Sequence, residues 1–169
     1  MELPPRAGIK YVAFADPSGG RHDSYTVCID HTEGDQYIAD VIRGRQSPLD
    51  PQQVTREFAV LLKEYGVKNL TADNYSAAWA ETEWRNNGIT LKRSKLSKSE
   101  LYLEALPLFM RSAVRIPDHH PRLMRELRLL ERRTSRAGRD LVDHGRGGSD
   151  DHANALKRNA FSLVHILSF

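Results

Sequence analysis

The chain has 169 residues, 40% of them hydrophobic and 28% charged, enough for one domain with a full core. Its formal net charge of +3 favours an acidic partner only weakly. The single cysteine, Cys28, excludes an internal disulfide and a cysteine-based zinc site, and no apolar run is long enough to span a bilayer.

From the N-terminus, Ile9 to Asp16 reads as a buried strand (IKYVAFAD), followed by a turn built on Pro17, Gly19 and Gly20. Tyr25 to Asp30 and Gln36 to Arg43 read as two further strands, so the chain opens with a three-stranded antiparallel meander. Cys28 sits in the apolar run SYTVCID, a core position. From Asp50 to Tyr65 the apolar residues Val54, Phe58, Leu61 and Leu62 recur at helical spacing, with Pro51 in the first turn and Gly66 at the end. Val67 to Asp73 is a fourth strand, entered from a helix and therefore parallel to the first. Ser76 to Asn86 is a short helix and Ile89 to Lys92 a fifth strand.

Ser97 to Ser112 reads as a helix that Pro107 should kink or split. VRIPD is a short extended segment, and Pro121 to Arg133 a basic amphipathic helix with Leu123, Leu127 and Leu130 on one side. TSRAGRDLVDHGRGG has the composition of a hairpin or mobile loop. Ser149 then caps a final helix, with Asp150 and Asp151 in its first turn and Ala153, Leu156, Ala160, Val164 and Leu167 as its apolar stripe.

Acidic residues stand at three of these boundaries. Asp16 ends the first strand, Asp73 the fourth, and Asp150 and Asp151 open the last helix. Carboxylates converging on one point bind hard cations such as Mg²⁺ or Mn²⁺ through oxygen. Two such cations, about 3.5–4 Å apart, bind the attacking and leaving oxygens of a phosphoryl displacement. In that arrangement Asp16 bridges both ions, and Asp73 and Asp151 each complete one side. Asp23, across the turn from Asp16, is a further candidate ligand. Each acid also has a plainer role: Asp16 and Asp23 as turn acids, Asp73 as a helix cap, Asp150 and Asp151 as acids at a helix start. His144 and His152 flank the last acids, where either could orient a ligand or a phosphate, but the plainer reading of each is a surface histidine; His119 and His120 receive no chemistry. No serine sits in a nucleophile elbow, and no phosphate-binding loop for ATP is present.

Three antiparallel strands followed by alternating helices and strands is the order of the ribonuclease H-like fold. The expected architecture is α/β, with a mixed five-stranded central sheet (three antiparallel strands, then two parallel additions) flanked by helices. The first strand is central in that fold and the fourth lies beside it, so Asp16 and Asp73 become neighbours.

The segments AFADPSGGRHDSYTVCI, LTADNYSAAWAETEW, LYLEALPLFMRSAVRIPDHHPRLMRELRLLE and GGSDDHANALKRNA together resemble the C-terminal nuclease domain of the large terminase subunit, the DNA-packaging motor protein of tailed bacteriophages and prophages. The resemblance covers nearly the whole chain. It implies an endonuclease that uses divalent metal to cut concatemeric double-stranded DNA during genome packaging. Asp16 matches the first-strand acid, Asp73 the fourth-strand acid, Asp151 the last ligand with Asp150 beside it, and Asp23 an auxiliary acid of the turn. Asn154 stands where family members often carry another Asp, which lowers the charge of the site.

On this reading residues 1–169 form one nuclease domain, 1–8 being a linker remnant, without the family's ATPase motor domain. The implied partners are double-stranded DNA, that ATPase domain, the small terminase subunit and the portal protein, in the cytoplasm of a bacterial host. The basic residues Lys92, Arg93, Lys95 and Lys98, and then Arg132, Arg133, Arg136 and Arg139, are the candidate phosphate contacts. Two competing readings share these features: another ribonuclease H-like nuclease, such as a junction resolvase, and a catalytically weak module that docks DNA or portal protein.

Overall fold

A computed structural model describes residues 2–21, 23–72, 78–116, 120–134, 140–144, 151–153, 155 and 156. Its main sheet is built from β1 (Val12–Asp16), β2 (Tyr25–Glu33), β3 (Gln36–Arg45), β4 (Asn69–Ala72), β5 (Thr90–Arg93) and β6 (Val114–Arg115). The order across the sheet is β5-β4-β1-β2-β3-β6. β1 pairs antiparallel with β2 and parallel with β4, and β5 adds parallel to β4. The expected fold class is therefore found, with one correction: the sheet has six strands, because Val114 and Arg115 pair parallel with Tyr37 and Ile38. Two residues are too short a run to show a periodicity, so the extended segment VRIPD gave no sign that it joins the sheet.

Alternation along β1 and β2 sends side chains to two faces. On one face Ala13, Ala15, Tyr25, Val27 and Ile29 meet Val54, Phe58 and Leu62 of α1 (Pro51–Glu64) and Trp84 of α2 (Ala78–Asn86). α1 begins where Asp50 accepts hydrogen bonds from the Gln52 and Gln53 amides, with Pro51 pre-set in the first turn. On the other face Phe14, Cys28 and Ile42 meet Leu123 of α4 (Pro121–Arg128) and the helical residues Ala153, Ala155 and Leu156. The sheet is thus covered on both sides, as its parallel strands require.

α3 (Lys98–Met110) starts at a capping box formed by Ser97 and Glu100. It continues through Pro107 without splitting. That proline lies in the last turn, where one missing amide interrupts little of the helix. The basic helix is shorter than its leucine spacing suggests: α4 ends at Arg128, and Leu130–Thr134 forms β7, paired antiparallel with β8 (Asp140–His144). Leu130 still packs on the same cluster as Leu127. The spacing therefore reported the packing correctly and the helix length wrongly.

The first residues run back over the sheet. Leu3 N donates to the Asp40 carbonyl at 2.9 Å, Tyr65 Oη donates to the Leu3 carbonyl, and Arg43 binds both oxygens of Glu2. Arg6 reaches Glu33 and, at 2.7 Å, Nε2 of the fully buried His31. An arginine only donates, so His31 Nε2 accepts and the ring proton lies on Nδ1, 2.6 Å from Asp40 Oδ2. Burial raises the Asp40 carboxyl above its usual range against the pull of His31.

Candidate metal centre

The site lies at one end of the sheet, where the parallel strands β1 and β4 finish and the antiparallel β2 begins. Asp16 is the last residue of β1 and pairs with Thr26. Ala15 pairs with Ala72, the last residue of β4. The crevice beyond the carboxyl ends of parallel strands is the usual place for a ligand in such sheets. Asp16 is partly buried and, by alternation from Phe14, lies on the face covered by α4 and the last helix.

Asp151 comes to the same place from the far end of the chain. Its Oδ2 accepts from the Ser24 amide at 3.0 Å, and its carbonyl accepts from Thr26 Oγ1 at 2.9 Å. Thr26 therefore connects the two acids: its backbone is in register with Asp16, and its hydroxyl holds the Asp151 main chain. Arg122 Nη2 lies 3.9 Å from Asp151 Oδ2 and donates to Ser24 Oγ at 2.8 Å.

The turn between β1 and β2 is fixed by its small residues. Ser18 Oγ donates to the Asp23 carbonyl at 2.6 Å and accepts from the Gly20 amide at 3.1 Å. Ser47 Oγ donates to the same carbonyl at 2.8 Å. Gly20 adopts φ +86°, and a Cβ there would stand 2.4 Å from the Leu49 carbonyl oxygen. Asp23 thus uses its main chain to close the turn, while its residue is exposed.

Glu126, which no sequence signal was used to single out, and His152 lie beside Asp151. His152, read as a surface histidine, is 4% exposed, and Glu126 is 3% exposed. Glu126 Oε2 accepts from the amides of His152 (2.8 Å) and Ala153 (3.0 Å), and Oε1 lies 3.1 Å from His152 Nδ1 and 3.2 Å from Arg122 Nε. Burial pushes the Glu126 carboxyl up, but the hydrogen bonds and positive field from His152 and the Ala153 amide outweigh it and hold the group below the usual carboxylate value. One sequence signal was available: Glu126 stands three residues from Leu123 and four from Leu130, an acid on the apolar stripe of a basic helix.

His120 caps α4 by accepting from the Leu123 amide at Nδ1, and its Nε2 donates to the Ile42 carbonyl at 3.1 Å. Its ring lies 5.3 Å from that of His152. His152 in turn is accommodated by Gly44 of β3, where a Cβ would meet Nε2 at 2.5 Å.

Of the acids singled out from the sequence, Asp16 and Asp151 both neighbour Thr26, the first through strand register and the second through its carbonyl. Asp73 and Asp150 lie outside the described residues, as does Asn154. Among the described residues no group of three or more His, Cys, Asp or Glu side chains converges on one point. Carboxylate oxygens such as those of Asp16 and Asp151 suit a hard divalent cation.

Among the basic residues, Lys92 and Arg93 lie exposed on the edge strand β5 and Lys95 just beyond it. Together with Lys10 and Lys68 they line a groove of about 1100 Å³ over β1, β4 and β5. Arg93 is paired with Glu81. Arg132 and Arg133 are exposed on β7, not on a helix end, and Arg133 is paired with Glu131. Arg136, Arg139 and the Lys98 side chain lie outside the described residues. No helix among the described residues is long and apolar enough to cross a membrane.

The architecture is a ribonuclease H-like fold, with Asp16 ending the first strand. Within that class it shares the fold of the nuclease of phage large terminases. The large terminase nuclease from thermophilic phage G20c matches with a TM-score of 0.80 at 18% identity, over 95% of this chain and 85% of that one. Its magnesium-bound form matches at 0.75, with 16% identity over 93% and 83%. The HK97 bacteriophage large terminase matches at 0.75, with 14% identity over 95% of this chain and 41% of that longer one. The nuclease domain of the large terminase subunit of bacterial virus Sf6, with manganese and β-thujaplicinol, matches at 0.71, with 15% identity over 88% and 86%. By sequence, no family model and no curated protein matches.

Proposed function

We propose that the chain is a divalent-metal-dependent DNA endonuclease of the terminase type, cutting concatemeric double-stranded DNA during phage genome packaging. The observation that carries this reading is the meeting of Asp16 and Asp151 through Thr26 at the strand ends, in a fold whose solved examples include nucleases with magnesium and manganese. Asp16, Asp151 and Asp73 are the proposed ligands, with Asp150 and Asp23 as auxiliary acids, for two Mg²⁺ or Mn²⁺ ions. Bound there, the cations would supply an activated water and neutralise the leaving oxygen.

The chain's own residues do the rest. Thr26 and the Ser24 amide hold Asp151 at the start of β2. Arg122, one-third exposed beside Asp151, places a positive charge at the rim of the site, where a phosphate would enter. Lys92, Arg93 and Lys95, with Lys98, Arg132, Arg133, Arg136 and Arg139, hold the DNA backbone without reading sequence. The ATPase domain, the small terminase subunit and the portal protein are the proposed partners.

Supercoiled plasmid incubated with the protein in Mn²⁺, Mg²⁺ or EDTA tests the reading. Nicking and linearisation in metal, absent in EDTA and abolished in Asp16→Ala, is the expected result. Intact plasmid under every condition, with the protein folded, would contradict it.

A further inference from the structure

The last helix begins in a clamp. On one side Thr26 Oγ1 binds the Asp151 carbonyl, and the Ser24 amide binds its carboxylate. On the other, the buried Glu126 carboxylate takes the amides of His152 and Ala153 and the His152 ring. Glu126 also holds Arg122 Nε, and the other end of that guanidinium contacts Ser24 Oγ and approaches Asp151.

A carboxylate this buried is costly unless each oxygen is satisfied, and here both are. A Ser, Asp or Asn at the cap itself would satisfy the same amides without a buried charge on another helix. What Glu126 adds is a fixed relation between α4 and the residue immediately before His152. That residue is Asp151.

We propose that Glu126 is a positioning residue for Asp151. It sets the orientation of the first helical turn against Thr26, and so sets the affinity of the site for a divalent cation. The proposal rests on the reading of Asp151 as a metal ligand. Residues that orient metal ligands typically change metal affinity about 10–100-fold when altered. A role confined to stability would change melting and leave the affinity of the folded protein where it was.

The test is Mn²⁺ binding, followed by calorimetry and by loss of the free-ion spin-resonance signal, well below the melting temperature of each variant. Wild type, Glu126→Gln, Thr26→Val and Leu127→Ala are compared. Glu126→Gln keeps the side chain's length and one acceptor oxygen. Leu127→Ala loosens the same helix without touching the clamp. We expect about 10-fold weaker Mn²⁺ binding in Glu126→Gln, several-fold weaker binding in Thr26→Val, and unchanged binding in Leu127→Ala.

Wild-type affinity in folded Glu126→Gln overturns the proposal. If that variant does not fold, wild-type affinity in Thr26→Val overturns it instead. Equal weakening in Leu127→Ala also overturns it, because general loosening would then explain the effect. Failure of the wild-type protein to bind Mn²⁺ at all removes the functional reading itself, and is thereby distinguished from failure of the positioning role.

Discussion

Gly44 shows how much a single position can be constrained by a residue more than 100 places away. Its missing side chain leaves room for the His152 ring, which Glu126 holds from the other side. Gly44→Ala would place a methyl group 2.5 Å from Nε2, with Thr26 Cγ2 at 3.2 Å closing the escape. Overpacking of this kind costs about 1–3 kcal/mol, and urea unfolding of Gly44→Ala is expected to show a loss of that size. His120 gives a second residue-level expectation. Burial, helped by the neighbouring His152, holds its imidazole below the ordinary value of 6.5 against the bond to the Ile42 carbonyl. A histidine depressed in the folded state favours folding fully above its unfolded pKa, and that contribution is lost as pH falls from there through the folded value. His120→Asn keeps a capping oxygen for α4 and removes the titration. Unfolding measured at about pH 7.5 and about pH 5.5 should show a smaller loss on acidification in the variant than in the wild type. Asp16 was legible in the sequence because it ends an apolar run at a Pro-Gly turn. Glu126 was not, because its partners are the amides of residues 152 and 153, and no local pattern announces them.

At the scale of elements, local chemistry carried most of the signal. Asp50 with Pro51 opens α1, and Ser97 with Glu100 opens α3, as capping patterns written in adjacent residues. What local chemistry missed was set by a partner: the place in the sheet of the extended segment that becomes β6, fixed by pairing with β3, and β7, which ends the basic helix by pairing with β8. The edge strand β5 shows a related division of labour. Its charged residues discourage pairing with another chain and also face solvent where a polyanion can reach them. Arg93 is already paired with Glu81, so Lys92 and Lys95 should contribute more to phosphate contact. Measured by fluorescence anisotropy across a salt series in EDTA, Lys92→Ala and Lys95→Ala are each expected to lower the slope of log affinity against log salt by about 1, with no change in sequence preference. Unchanged slopes would move the DNA path off this edge.

For the whole molecule, the central fact is that two segments distant in the chain, ending in Asp16 and opening at Asp151, both meet Thr26 at the start of β2. β1 lies inside the sheet between β4 and β2, and Asp16 at its end pairs with Thr26 of β2. The last helix lies across the Phe14 and Cys28 face, so Asp151 arrives where β2 starts. The strand order was legible because three antiparallel strands followed by alternating helices and strands admit few arrangements. The side on which the last helix packs was not, since it depends on Glu126, Thr26 and Gly44 acting together. Asp16 and Asp151 are proposed to share a cation, and crystals grown with Mn²⁺ and measured for anomalous scattering test this most directly. Manganese peaks touched by the carboxylates of both Asp16 and Asp151, at roughly 2.0–2.2 Å, are the expected result. Peaks bound elsewhere, or a fully occupied Mn²⁺ that contacts neither acid, would contradict it.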